Sequence, residues 1–237
     1  MPQHILRDYS AALRHLQELI LTMAAHSRQN LENAVKSLLN NDIDLAHSVI
    51  AADNDVDELE RNVDQMGMET MIRFHPVAAD LRLIIASMKI GTNLERISDH
   101  AVGIAKRARK LNKLSQVTEA QWLEPLYSLA YGLLRDAMDS YTNHDPELGE
   151  SLHQKDREID RLHKQLTRAF SAKIEEHAGS SEAWLHLIFA SRSLERIGDL
   201  SVNIGEETVF LESAKDIRHE HRKPTAEPPA EPSPPTS

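Results

Sequence analysis

The stretch Leu94-Glu95-Arg96-Ile97-Ser98-Asp99 returns one hundred residues later as Leu194-Glu195-Arg196-Ile197-Gly198-Asp199. In each copy the leucine and the isoleucine have helical spacing. The two acids are four positions apart, which places both carboxylates on one side of a helix. Like charges at this spacing repel each other, so an acid pair that recurs beside an apolar stripe needs a cation or a hydrogen-bond donor. The repeat therefore predicts two equivalent helices, each carrying a pair of carboxylates.

A second acid pair precedes each copy of this signature. Residues 53–60 align with residues 156–163 at an offset of 103, with acids at the first, third and fifth positions and apolar residues at the fourth and seventh. The chain is thus internally duplicated. If these segments lie on helices antiparallel to the signature helices, each half clusters four carboxylates. The eight acids are Asp53, Asp57, Glu95 and Asp99 in the first half, and Asp156, Asp160, Glu195 and Asp199 in the second.

The apolar pattern predicts an all-α protein made of two tandem, similar three-helix bundles. Proline disfavours a helical residue before it, so His75-Pro76 should end one helix and open the next. Thr118-Glu119-Ala120-Gln121 has the spacing of a capping box, and the proline-rich residues 221–237 are expected to be disordered. The bundles should span 1–115 and 116–220, with six long helices at about 5–39, 42–75, 76–114, 118–143, 145–178 and 182–214.

The composition excludes several classes of function. A formal charge of −10 would repel a nucleic acid unless a basic stripe were segregated on one face, so no nucleic-acid partner is expected. The absence of cysteine leaves oxygen and imidazole ligands for any metal. The first residues lack a signal-peptide pattern, and no apolar run approaches the roughly 18 residues of a membrane span. These features predict a cytoplasmic protein without a membrane span.

Four clustered carboxylates cannot all stay ionised without compensation. Hard cations that accept oxygen ligands, such as Mg²⁺, Ca²⁺, Mn²⁺ or ferric iron, are natural compensators, and His100 or His163 could add an imidazole. In the alternative interpretation the acids pair with the nearby arginines Arg82, Arg96 and Arg196, and the protein is a metal-free helical scaffold. The sequence leaves both interpretations open.

An enzyme is the third alternative. A di-metal carboxylate enzyme in a helix bundle needs two Glu-x-x-His motifs on facing helices and two further glutamates, whereas only Glu150 with His153 has this spacing, outside the repeated pattern. The chain also lacks a Ser/His/Asp order, a nucleophile elbow, a phosphate loop and a dinucleotide fingerprint. We therefore expect no catalytic residues and no enzymatic activity.

With these residues in place, the chain resembles the PhoU family of phosphate-signalling proteins over about residues 5–220. The resemblance rests on the tandem signatures, on the acid pair before each, on Pro76-Val77-Ala78-Ala79-Asp80-Leu81-Arg82, and on the stretch from Ser201 to His219. Two departures stand out. Gly103 replaces the usual asparagine seen here as Asn203, and the second half lacks the Pro-x-x-x-Asp-Leu-Arg motif.

The resemblance implies a cytoplasmic adaptor of two three-helix bundles that dampens the phosphate-starvation response. Its partners would be the ATPase component of a phosphate ABC transporter and a membrane sensor histidine kinase, and the chain would form a homodimer. Some relatives bind metals as multinuclear clusters, so the eight acids would bind iron, zinc, manganese or magnesium. Asp80, Arg82, Arg96 and Arg196 are candidates for partner contacts.

Overall fold

Seven α-helices and one 3₁₀ helix form the described part of the chain, which comprises residues 2–114, 118–176 and 181–218 of a computed structural model, with side chains described from residue 7 onward. These ranges contain no strand, so the all-α prediction is confirmed. The predicted disordered tail, 221–237, lies outside the described residues. The helices are α1 (Pro2–Asn40), α2 (Ile43–Ala51), α3 (Asp53–Phe74), α4 (Ala78–Leu111), the 3₁₀ helix (Thr118–Leu123), α5 (Glu124–Asn143), α6 (Pro146–Glu176) and α7 (Ser181–Ser213).

The predicted second helix is divided at Ala52 into α2 and α3, which corrects the expectation of one continuous helix. Asp42 caps α2, because its side chain accepts a hydrogen bond from the backbone N–H of Leu45 at 2.9 Å. Ala52 keeps right-handed helical angles (φ −74°, ψ −5°), and α3 begins at Asp53. The positive end of a helix dipole favours carboxylates, so the interruption places the first predicted acid at a favourable position.

The predicted capping box at Thr118 does not form. The Thr118 hydroxyl donates to the Glu119 carboxylate at 3.1 Å, the chain makes a 3₁₀ turn, and α5 begins only at Glu124. The Gln121 side chain donates instead to the carbonyl of Leu39, near the end of α1, at 3.0 Å. A tertiary contact thus replaces the predicted local one.

Helices α4 and α7, which carry the two signatures, run antiparallel and join the halves. Three contacts fix this direction, since residue numbers rise along α4 as they fall along α7. The pairs are Lys89 with Glu207, Asn93 with Asn203, and Arg107 with Phe189. The middle of one signature therefore lies beside the middle of the other.

One apolar core runs through both halves. The signature side chains Leu94, Ile97, Leu194 and Ile197 are all buried in it, and complete burial of such a side chain contributes about 1.5–3 kcal/mol. The apolar sides of α4 and α7 face this core, so the acids on their other sides lie toward the surface of the protein.

Candidate functional site

The first acidic cluster forms where the start of α3 meets the middle of α4. The pKa of Glu95 is raised to about 7, first by burial and then by the charges of Asp99, Glu60, Asp57 and Asp53, in that order. Burial also raises the pKa of Asp53, as do the nearby Asp99 and Asp57. The four predicted acids of the first half are therefore close enough to repel one another.

The second acidic cluster forms in the same way between α6 and α7. The pKa of Asp156 is raised to about 7, first by burial and then by the charges of Asp199, Asp160 and Glu195. One carboxylate oxygen each of Asp156 (Oδ1) and Glu195 (Oε2) is buried without a hydrogen-bond partner. The structure thus brings together the four predicted acids of the second half as well.

Gly198 leaves the space that the Asp156 carboxylate occupies. A Cβ atom at residue 198 would lie 2.7 Å from Asp156 Oδ1, so glycine is what allows this carboxylate to sit against α7. Its counterpart Ser98 faces α1 instead, where its hydroxyl accepts a hydrogen bond from the Asn30 amide at 3.0 Å. The single difference between the two signatures therefore has a structural reason.

The two clusters differ in their cations. Arg196 donates to Asp199 at 2.8 Å and lies 3.7 Å from Glu195 Oε2, so the arginine-pairing alternative describes part of the second half. In the first half, no ion pair of Glu95 or Arg96 occurs among the described residues. Across residues 2–114, 118–176 and 181–218, no three acidic or histidine side chains are arranged to hold a metal ion. The metal site therefore stays a prediction.

The predicted histidine ligands have other surroundings. His163 Nδ1 shares a 2.8 Å hydrogen bond with the Ser191 hydroxyl, and burial lowers its pKa. Burial also lowers the pKa of His100, which faces the cleft described next. His75, which was predicted to end a helix and not to bind a metal, ends α3 in a left-handed conformation.

A cleft of about 460 Å³ lies where α4 contacts α7, beside the second acidic cluster. Arg96 and Arg196, at equivalent positions of the two signatures, both line it. The remaining side chains come from α4, α6, α7 and the segment after α7, and are His100, His153, Asp156, Asp199, Leu200, Val202, Asn203, Glu206 and Arg218. An arginine from each half thus faces one shared space, as sequence reasoning about separate bundles did not predict.

Two buried glutamates beside this cleft were missed by the sequence analysis. Glu206 Oε1 lies 3.2 Å from His153 Nε2, and Glu207 Oε2 lies 3.1 Å from Lys89 Nζ. Both glutamates are nearly inaccessible to solvent. The signal that could have revealed them is a Glu-Glu pair within an apolar part of α7, because acids are rarely buried unless paired.

The four candidates for partner contacts divide into two groups. Asp80 Oδ2 accepts a 2.8 Å hydrogen bond from the Tyr9 hydroxyl, and Arg82 Nε donates to the Leu211 carbonyl at 3.0 Å. These two side chains hold elements of the chain together. Arg96 and Arg196 are exposed.

None of the described helices is apolar over a length that would cross a bilayer.

Known proteins share this duplicated plan. A model of the PhoU domain matches the chain twice, at residues 20–108 and 123–208. The phosphate-specific transport system accessory protein PhoU homolog of Pseudomonas putida is 33% identical over 220 residues, which are 92% of this chain and 86% of that protein. The homolog of Pseudomonas aeruginosa is 31% identical over 92% of this chain and 91% of its own length.

Solved structures agree with the sequence matches. The crystal structure of PhoU from Pseudomonas aeruginosa has a TM-score of 0.83 at 31% identity and covers 87% of this chain and 100% of its own. The phosphate transport system regulatory protein PhoU from Streptococcus pneumoniae, 24% identical, shares the fold with a TM-score of 0.81 over 88% of this chain and 98% of its own. On these matches, the chain belongs to the PhoU family.

Proposed function

We propose that this protein regulates phosphate uptake and phosphate homeostasis by dampening the phosphate-starvation response. The observation that carries this proposal is that both halves match the PhoU domain, while relatives named as accessory proteins of a phosphate-specific transport system align with 92% of the chain. The protein acts as a homodimer in the cytoplasm. It links the ATPase component of a phosphate ABC transporter to a sensor histidine kinase.

A reporter experiment tests this role. Deletion of the gene should switch on a phosphate-starvation promoter in phosphate-replete medium, and the intact gene should silence it again. A promoter that stays silent in the deletion strain would contradict the proposed negative regulation. Binding of the purified protein to the ATPase component and to the kinase's cytoplasmic region then tests the link itself.

Metal binding by the paired acids is part of the proposal. The acids that would hold the ion are Asp53, Asp57, Glu95 and Asp99 in one half, and Asp156, Asp160, Glu195 and Asp199 in the other. The raised pKa values of Glu95 and Asp156 support it, as does the buried Oδ1 atom of Asp156, which has no hydrogen-bond partner. A divalent or ferric cation would supply the positive charge that these carboxylates lack. The ion could be iron, zinc, manganese or magnesium.

Elemental analysis of untagged protein measures this directly. The double variants Glu95→Gln/Asp99→Asn and Glu195→Gln/Asp199→Asn should each remove the metal of one half and leave that of the other. Equal metal content in wild type and both variants would reject the assignment of the eight acids. Metal-free wild-type protein that still represses the reporter would favour the scaffold alternative.

We infer that the protein is not an enzyme. The spacing that suggested a di-metal carboxylate site, Glu150 with His153, places the two side chains in different surroundings: His153 lies 3.2 Å from the buried Glu206 of α7, whereas Glu150 is exposed. A di-metal oxidase needs paired motifs on facing helices. This alternative is therefore less consistent with the structure than a regulator is.

A further inference from the structure

An exposed apolar pair lies beside two cations where the end of α4 meets the start of α7. Leu185 and Phe189, one helical turn apart, are 44% and 46% exposed. The Arg107 guanidinium lies 4.8 Å from the centroid of the Phe189 ring. His186 lies between Leu185 and Phe189 in the sequence, and its pKa is lowered by burial and then by the charge of Lys110. Lys110 therefore lies near this apolar pair. We call Arg107, Lys110, Leu185 and Phe189 the basic–apolar patch.

The internal duplication shows what this patch lacks. The offset of one hundred residues relates Arg107 to Glu207 and Lys89 to Phe189, so the patch corresponds to the Lys89–Glu207 pair at the other end of the α4–α7 contact. In that pair the ammonium group lies 3.1 Å from a buried carboxylate. In the patch, Arg107 stands at the position equivalent to Glu207. Phe189 stands at the position equivalent to Lys89.

Arg107 is therefore half-buried without a compensating acid. Its Nε is buried with no hydrogen-bond partner, and its terminal nitrogen donates only a long 3.4 Å bond to the Gly103 carbonyl. Burial lowers the pKa of its guanidinium, and among the described residues no carboxylate offsets that effect. The sequence between Asp99 and Glu119 contains no acid. A buried cation is unfavourable unless it is paired, so an acid from outside would stabilise it.

We propose that the basic–apolar patch docks an acidic amphipathic helix of the transporter's ATPase component. Apolar side chains of that helix cover Leu185 and Phe189, and one of its carboxylates pairs with Arg107. Helices bind in this way when apolar anchors one turn apart meet a complementary surface, and aromatic and arginine side chains dominate binding energies at interfaces. The proposal rests on the proposed function, which supplies the ATPase as partner.

Other occupants match the patch less well. Residues 219–237 of this chain carry Glu220, Glu227 and Glu231, but their apolar residues are only alanine and proline, which cannot fill the place of an apolar anchor. Two copies of this chain repel each other, because each carries a formal net charge of −10. An anionic membrane presents negative charge over a wide area and would also meet the exposed Glu182, which lies 3.7 Å from His186. A single helix can place its carboxylate at Arg107, away from Glu182.

Binding of the full-length protein to the purified ATPase component of the same organism tests the proposal. Arg107→Gln and Phe189→Ser should each weaken the affinity by about tenfold or more, as truncation of a central anchor does. Leu185→Ser, which alters only an exposed side chain, provides a second variant free of folding effects. Met68→Ser is the matched control, because Met68 is 49% exposed on α3 and should leave the affinity unchanged. Circular dichroism verifies that each variant is folded.

The outcomes separate the two proposals. Added salt should weaken wild-type binding more than that of Arg107→Gln, since the pair with Arg107 is electrostatic. Wild-type affinity in Arg107→Gln, Phe189→Ser and Leu185→Ser would overturn the patch and leave the proposed link to the transporter intact. A wild type that does not bind the ATPase would overturn both. The proposed occupant would also be wrong if the variants altered only self-association or binding to anionic vesicles, or if deletion of residues 219–237 alone strengthened ATPase binding.

Discussion

At the scale of single residues, Glu95 links the acidic cluster to stability. Its pKa is raised to about 7, above the ordinary value of 4.5, by burial and by the neighbouring acids. The folded protein therefore binds this proton more tightly than the unfolded chain does, and stability is lost as the pH rises from about 4.5 through 7. Glu95→Gln should raise the melting temperature at pH 8 in the presence of a chelator, and the gain should shrink at pH 5.

The size of this effect is limited, because Glu95 is only partly buried and solvent screens its charge. We expect Glu95→Gln to raise the free energy of unfolding by roughly 1 kcal/mol or less. For a chain of this length, each kcal/mol raises the melting temperature by about 2–4 °C. Glu58→Gln, which removes an exposed acid of α3, is the control and should show no such pH-dependent gain. Equal melting temperatures of wild type and Glu95→Gln at pH 8 would show that the cluster does not strain the fold.

Sequence spacing could predict which acids cluster, but not which cationic side chains form ion pairs with them. The four-residue periodicity of a helix puts Glu195 and Asp199 on one side wherever the helix lies. Whether Arg196 turns toward them depends on side-chain rotamers and on the neighbouring helix, and Arg96 makes no such pair among the described residues. Tertiary surroundings likewise decide the burial of Glu207, so this residue could not be identified from spacing alone.

At the scale of helices, glycines set how closely α6 and α7 pack. A Cβ atom at Gly205 would lie 2.6 Å from Leu152 Cδ1 and 2.7 Å from the Gly149 carbonyl oxygen. Because that oxygen belongs to a helix backbone, it cannot move aside alone. Gly205→Ala should therefore destabilise the protein by about 1–3 kcal/mol, as overpacking does, measured by urea denaturation.

Gly132→Ala in α5 is the matched control. A Cβ atom there meets nothing within 4 Å, and alanine favours a helix by up to about 1 kcal/mol over glycine. The same substitution should thus stabilise at residue 132 and destabilise at residue 205. If both variants were stabilised, the close approach of α6 and α7 would not limit packing at this position.

Helix boundaries were predictable where local chemistry decides them. Asp145, an aspartate directly before Pro146, caps α6 by accepting a hydrogen bond from the backbone N–H of Leu148 at 2.9 Å. The division at Ala52 could not be predicted, because the residue keeps helical angles and no glycine or proline marks it. At Thr118 the local signal was present, but the contact of Gln121 with α1 prevailed.

At the scale of the whole molecule, the duplication predicted two similar units but not how they associate. A repeat fixes what each half contains, whereas the antiparallel contact of α4 with α7 depends on the shapes of both surfaces. That contact, together with the buried 2.7 Å hydrogen bond that joins Ser87 of α4 to Tyr141 of α5, links the two halves. It turns two bundles into one apolar core.

A shared core should make the halves unfold together. Both tryptophans, Trp122 and Trp184, lie in the second half, so tryptophan fluorescence follows that half while far-ultraviolet circular dichroism follows all helices. Leu16→Ala removes a fully buried side chain of α1 in the first half and should cost about 2–5 kcal/mol. In a cooperative molecule, both signals should shift to lower temperature by the same amount.

Leu187→Ala, at a fully buried site of α7, is the counterpart in the second half and should shift both signals in the same way. If the halves were independent, Leu16→Ala would lower the transition seen by circular dichroism and leave tryptophan fluorescence at its wild-type midpoint. Coincident transitions in both variants would instead mean that α4 and α7 couple the halves energetically. A cation bound at one acidic cluster would then stabilise both halves of the protein.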